Sequence, residues 1–223
     1  MLVVGELINA SRKAVGEAIK AEDAAQIKKL ARDQYENGAD YIDVNAGIFV
    51  GKEIGYLKWL VTTVQEEVDA PCCIDSPDPK AVEAAFSVNK GIPMINSISL
   101  EKDRYDALLP VIKGTECKVV ALCMSDKGMP ETCEDRYSIA EELVNSLVKN
   151  GIAIENIYVD PLVQPLSTKD DYGVEFLNAV EKIMTNLPGV HTICGLSNIS
   201  YGLPHRLLIN QAFMVQAILK GLD

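Results

Sequence analysis

Short apolar runs alternate along this chain with longer stretches in which apolar residues recur every three or four positions. The runs predict strands at residues 2–7, 40–44, 72–74, 93–95, 118–123, 157–159 and 191–194. The first run alternates poorly, as expected of a strand buried on both faces. Helical spacing fills the intervals. After Ile8-Asn9-Ala10-Ser11 it predicts two pieces split near Glu22-Asp23, the second placing Ala24, Ile27, Leu30, Ala31 and Tyr35 on one stripe. Residues 53–68 carry Leu57, Leu60, Val61, Val64 and Val68 on one face, with Trp59 one step off it as a packing aromatic. Further helices are predicted from residue 79 to about 90, after Ser99 (Tyr105, Leu108, Leu109, Ile112), over 138–149, over 172–187, and over 204–220 with Leu208, Ala212, Val215 and Leu219 inward.

Punctuation supports these boundaries. Asn37-Gly38 suits a left-handed helix terminus. Asp78-Pro79 reads as an N-cap followed by proline at the first helical position. Strict strand–helix alternation with short connections implies a parallel sheet. Seven units in a row point to a TIM (β/α)8-type barrel lacking its final unit, built as a single domain over 1–223. A doubly wound nucleotide-binding sheet is disfavoured, because Gly5-Glu6-Leu7-Ile8-Asn9 is not GxGxxG. The eighth unit is expected either to be missing, with something else such as a partner subunit closing the seven strands, or to lie beyond Asp223 in about 40 further residues, the usual size of a barrel unit.

The 223 residues are 48% hydrophobic and 24% charged, ordinary for a globular core. A net charge of −11 and no basic patch argue against nucleic acid. No apolar run approaches the roughly 20 residues of a membrane span, and the N-terminus reads as a strand rather than a signal peptide. Six cysteines (Cys72, Cys73, Cys117, Cys123, Cys133 and Cys194) make no CxxC pair. The natural reading is reduced thiols in a cytoplasm, several of them acting as small hydrophobes.

The chemistry is expected where the strands end. In a parallel barrel the C-terminal strand ends share one rim. Asn9, Asp43, Asn45, Asp75, Asn96, Asp160, Ser197 and Asn198 would all stand there. Each has a plain structural explanation, since Asp and Asn are common caps and turn residues. Together they form a cup of carboxylates and amides with two histidines in the whole chain and no metal-ligand spacing. Such a cup suits an uncharged heterocycle rich in N–H and carbonyl groups, which Asp can bind through paired acceptors and Asn through one of each.

Six stretches in order resemble the pterin-binding methyltransferases: Gly5-Glu6-Leu7-Ile8-Asn9, Ile42 to Gly47, Asp75-Ser76, Met94-Ile95-Asn96-Ser97, Tyr158 to Leu162, and Gly195-Leu196-Ser197-Asn198-Ile199-Ser200. The likeness is to methyltetrahydrofolate:corrinoid/iron–sulfur protein methyltransferase and its relatives, and more distantly to the folate domain of cobalamin-dependent methionine synthase. It runs the whole length of the chain. It implies methyl transfer between N5 of methyltetrahydrofolate and the cobalt of a corrinoid carried by a partner protein, in a homodimeric enzyme. It implies that Asp75, Asn96 and Asp160 hold the pterin ring, that Asn198 reaches the N5 region as the catalytic residue, and that Ser197 and Arg206 lie nearby. Asp43, Asn45 and Glu6 would complete or brace the pocket. Two positions depart from the resemblance: Leu7 stands where relatives often carry Arg, and Tyr201 where Gln is expected. The alternatives are a dihydropteroate synthase-like enzyme, for which Ser197-Asn198-Ile199 supplies no pyrophosphate-binding cation, and a non-catalytic folate-binding module that docks a corrinoid protein.

Overall fold

The structure, a computed structural model, describes every residue from Met1 to Asp223. Its strands alternate with helices, two of them after β1 and one after each later strand: β1 (Val4–Asn9), α1 (Lys13–Lys20), α2 (Ala24–Glu36), β2 (Tyr41–Asn45), α3 (Glu53–Gln65), β3 (Cys72–Asp75), α4 (Pro79–Phe86), β4 (Met94–Leu100), α5 (Lys102–Ile112), β5 (Lys118–Ser125), α6 (Cys133–Lys149), β6 (Ile157–Asp160), α7 (Tyr172–Asn186), β7 (His191–Thr192) and α8 (Arg206–Lys220). A 3-10 turn, Leu196–Ser200, joins the last two. The sheet order is β1 to β7 in sequence. β1–β2, β2–β3, β3–β4 and β6–β7 pair in parallel. A strand order that never reverses lacks the switch point of a doubly wound sheet.

Contacts divide the chain into two compact units. The first comprises Met1–Ser97 with Ala107–Ile112 and Glu116–Val119. Its core is built from the predicted stripes: Ile27 and Ala31 of α2, and Leu57, Leu60, Val61 and Val64 of α3, over Ile42, Val44 and Ile74 of the strands, all buried. Asp78 caps α4 as expected, its carboxylate accepting the Lys80 N–H at 2.9 Å. Gly38 takes its left-handed conformation at φ +92°.

β1 differs from its prediction. It begins at Val4, and Glu6 and Leu7 are exposed rather than buried. Between Gly5 and Ile8 the register slips by one residue, a bulge that takes both out of the ladder. The donor so released is not left alone, because the Leu7 N–H donates to Gln34 Oε1 at 2.7 Å. Gln34, buried on α2 where Tyr35 was expected, is therefore the patch over the bulge. A Cβ on Gly5 would lie 2.7 Å from that same Oε1 and 3.1 Å from the Gln34 Cβ, so a larger residue there would have to displace the patch.

The second unit comprises Ile98–Asp106, Lys113–Thr115 and Val120–Asp223. Its apolar centre joins Phe176, Leu177 and Val180 of α7 to Phe213 and Ala217 of α8 and to Ile199 of the 3-10 turn. Here the predicted α8 stripe is reversed: Leu208, Val215 and Leu219 are 65%, 60% and 80% exposed. The helix is apolar nearly all round, and aromatic packing of Phe213 on Phe176, centroids 5.5 Å apart, selects the other face. α6 begins at Cys133, five residues before the predicted start, because Thr132 and Asp135 form a reciprocal capping box.

Candidate functional site

In the first unit, the ends of β2 and β3 bring the predicted polar residues together. Asn45 pairs in register with Asp75, and Asp75 with Asn96. The Asn45 amide donates to Asp75 Oδ2 at 2.8 Å, while its Oδ1 accepts the Gly47 N–H at 3.1 Å. Both ends of Asn45 are thereby committed, and it braces Asp75. Asn9 ends β1 beside Asn45, but its Oδ1 is taken by the Ser11 N–H at 2.9 Å and the Ser11 hydroxyl at 2.7 Å. That is the turn-capping role the residue type allows.

Asp43 lies one pleat deeper and is 2% exposed. Its side chain is hydrogen-bonded with Cys73 and Asn96. Burial, then the charge of Asp75, pushes its pKa well above the carboxylate range, with Glu6 adding a smaller push. Glu6, in the bulge of β1, acts on this group through its charge. Desolvation of its carboxyl, followed by the charge of Asp75, raises its pKa too. Three carboxyls thus share one neighbourhood, and the charge of Asp75 adds to desolvation in raising the proton affinity of Asp43 and Glu6.

Sequence reasoning missed the layer beneath. Glu53, the first residue of α3, is buried and accepts a short hydrogen bond from the Ser76 hydroxyl. Ser76 Oγ in turn accepts the Asp78 N–H at 3.0 Å, which ties the β3–α4 connection to α3.

In the second unit, Asp160 ends β6 and accepts the Leu162 N–H at 2.8 Å. That bond holds Leu162 in a left-handed conformation, φ +69°, which costs a residue with a Cβ about 1–2 kcal/mol. A buried arginine sustains the turn. Arg136, 0% exposed, donates from Nε to the Pro161 carbonyl at 2.9 Å and from Nη1 to those of Glu131 at 2.7 Å and Thr132 at 3.2 Å. Nothing in its sequence context distinguishes it from a solvated helix charge.

Asn198 sits in the 3-10 turn after β7. The turn is bonded internally: the Asn198 N–H donates to the Gly195 carbonyl and Tyr201 N–H to that of Asn198. Ser200, fully buried, donates to Asn210 Oδ1 at 2.7 Å and accepts from Arg206 Nε at 3.1 Å. Arg206 also donates to the Ser197 carbonyl at 2.8 Å. Its guanidinium is thus a brace for the turn. Ser197 and Asn198 themselves are exposed. The Asn198 amide caps nothing, and its nitrogen lies 3.0 Å from where a Cβ on Gly195 would stand.

Other features stand apart from these residues. A cavity of about 570 Å³ opens beside the loop from Ser125 to Glu131 and α6 residues Asp135, Ser138 and Glu142, and includes none of the predicted residues. His191 lies at the start of β7, stacked on Tyr158 and bonded to Asp223. All six cysteines are free of disulfides. No helix is long and apolar enough to cross a membrane.

Known proteins bear on this arrangement. The methylcorrinoid:tetrahydrofolate methyltransferase of Eubacterium limosum is 38% identical across this whole chain, which spans 83% of it. The methionine synthase of Mycobacterium tuberculosis is 29% identical, again over the whole chain, which corresponds to only 20% of that much longer protein. Among solved structures, the dihydropteroate synthase of Xanthomonas albilineans with 4-aminobenzoic acid superposes with a TM-score of 0.76 at 18% identity, covering 99% of this chain and 84% of that one. The enzyme from Coxiella burnetii with pteroic acid does so at 0.72 and 17%, covering 99% and 85%. The latter two establish the fold alone. The family model for pterin binding enzymes matches residues 5–223, so the chain belongs to the pterin binding enzyme family, in its methyltransferase branch.

Proposed function

We propose that the protein transfers a methyl group between N5 of methyltetrahydrofolate and the cobalt of a corrinoid carried by a partner protein. The observation that carries the reading is the Asn198 side-chain amide: exposed, outside every internal hydrogen bond, and mounted on a turn that Ser200 and Arg206 brace. A side chain so placed is available to a ligand without first breaking an internal bond. The 38% identical methyltransferase supports the reaction class.

The chemical difficulty is that N5 of a reduced folate is a poor leaving group while uncharged. Charge must develop on it as the methyl departs, and a donor that strengthens as this happens lowers the barrier. The Asn198 amide is assigned that part. Asp75, supported by Asn45, and Asn96 offer acceptors and a donor for the pterin edge. Asp43 and Glu6 lie behind, and Ser197 and Arg206 hold the turn. The corrinoid supplies a cobalt centre able to accept or give up a methyl; this chain contributes orientation and the donor. A dihydropteroate synthase would need a cation for its pyrophosphate leaving group, and the one beside Asn198, Arg206, is engaged in bracing.

Single-turnover transfer from methyltetrahydrofolate to Co(I) cobalamin tests the reading. Asn198→Ala is expected to slow transfer by about 10²–10³-fold, the range for one preorganised donor. Folate affinity should fall much less, since the ring-binding groups remain. An unchanged rate in the folded variant removes Asn198 from the mechanism. Binding without turnover by the native protein favours a non-catalytic module.

A further inference from the structure

Asp43 poses a problem of charge. It is 2% exposed, and its Oδ2 is enclosed with no hydrogen-bond partner. The groups acting on it are Glu6 from β1, Cys73 and Asp75 from β3, and Asn96 from β4, none of them a cation. An ionised carboxylate with a bare oxygen in such a place lacks what normally offsets its burial, either a counter-charge or donors to every lone pair. A proton lowers that cost, because a neutral carboxyl is far cheaper to bury than an ion. The carboxyl still accepts from Cys73 and Asn96 on its other oxygen, and it no longer repels Asp75.

We propose that Asp43 is a proton-bearing positioning residue, which as the neutral acid orients the Asn96 amide and leaves Asp75 as the negative charge presented to the N–H edge of a pterin. The inference rests on the pterin reading for its ligand, but not for the state of the side chain. A neutral carboxyl orders Asn96 through a hydrogen bond without competing for the donors a pterin brings. An ionised one would draw those donors inward and set two like charges side by side. Pterin binding should therefore weaken as pH rises far enough to remove this proton.

Two measurements decide it, each on the whole chain. Infrared spectra of protein carrying 13C-labelled aspartate should show a protonated-carboxyl C=O band at neutral pH that is lost in Asp43→Asn and disappears from the native protein on alkaline titration. Methyltetrahydrofolate affinity against pH should fall on the alkaline side in the native protein and stay level in Asp43→Asn. Asp43→Ala should weaken affinity by about tenfold, with the isosteric Asn variant recovering most of the loss. No such band in the native protein at neutral pH overturns the proposal without any reference to folate, even if the variants fail to fold. So does an Asn variant as weak as the Ala variant, or one with an undiminished alkaline fall. A band that is present in a native protein that binds no folate overturns the pterin reading, and the positioning role with it.

Discussion

Gly195 shows how much a single hydrogen atom decides at the residue scale. Its φ of −74° is open to any residue, so the backbone does not require glycine. The requirement comes from the neighbour, because an added Cβ would meet the Asn198 amide nitrogen at 3.0 Å, closer than nearly all such contacts. Gly195→Ala should therefore push that amide off its resting place and leave the fold intact. A displacement of this kind is expected to slow methyl transfer by about 10–10²-fold. The thermal midpoint should hold or rise slightly, because replacing glycine at a compatible φ restricts the unfolded chain. A rate equal to that of the native protein would mean that the amide position at rest is irrelevant to transfer.

At the scale of elements, most of the frame was legible and most of the bracing was not. Strands that break from an apolar run into Asp75 or Asp160 announce themselves, since the strand ends where side-chain polarity changes. Asn96 does not end its strand as expected, because β4 runs on through buried Ser97, Ile98 and Ser99 to Leu100. Gln34, Arg136 and Ser200 carry no such mark. Each is a polar residue in or beside an amphipathic segment, and only a partner from a distant element reveals that it points inward. The α8 error has a related cause: two apolar stripes compete on one helix, and Phe176 on α7 decides between them. Arg136 offers the sharpest test of hidden bracing. Arg136→Met keeps the side chain's bulk and leaves the Pro161 and Glu131 carbonyls without their donor. Urea unfolding should register a loss of about 3 kcal/mol. A loss below about 1 kcal/mol would show that these loops hold their own shape.

For the molecule as a whole, the acidic cluster shapes stability against pH. Asp43 and Glu6 both bind their protons more tightly folded than unfolded, desolvation being the first cause for each, complete for the buried Asp43 and partial for the exposed Glu6. Their contribution is complete below the unfolded carboxylate range, near about pH 4, and is lost as pH rises through their folded values. Asp135 works in the opposite sense. Its pKa is lowered, first by the Thr132 backbone N–H, so its contribution is present above the unfolded value and fades on acidification. Thermal melts across pH should show the native protein losing stability on the alkaline side, with Asp43→Asn losing less of it. Parallel melting curves for the two would mean that Asp43 keeps the same proton affinity folded and unfolded.

The buried thiols give the sheet a clock. Burial, with Asp43 close by, pushes the Cys72 pKa up to about 12. At neutral pH only about one in 10⁵ of these groups is the reactive thiolate. Cys73 and Cys123 are raised in the same sense, by burial before anything else. Alkylation of β3 must then wait for the strand to part from its neighbours and let water reach the sulfur. The rate at which a small electrophile consumes Cys72 therefore counts openings of the sheet beside the acidic cluster, with no probe attached and no denaturant added.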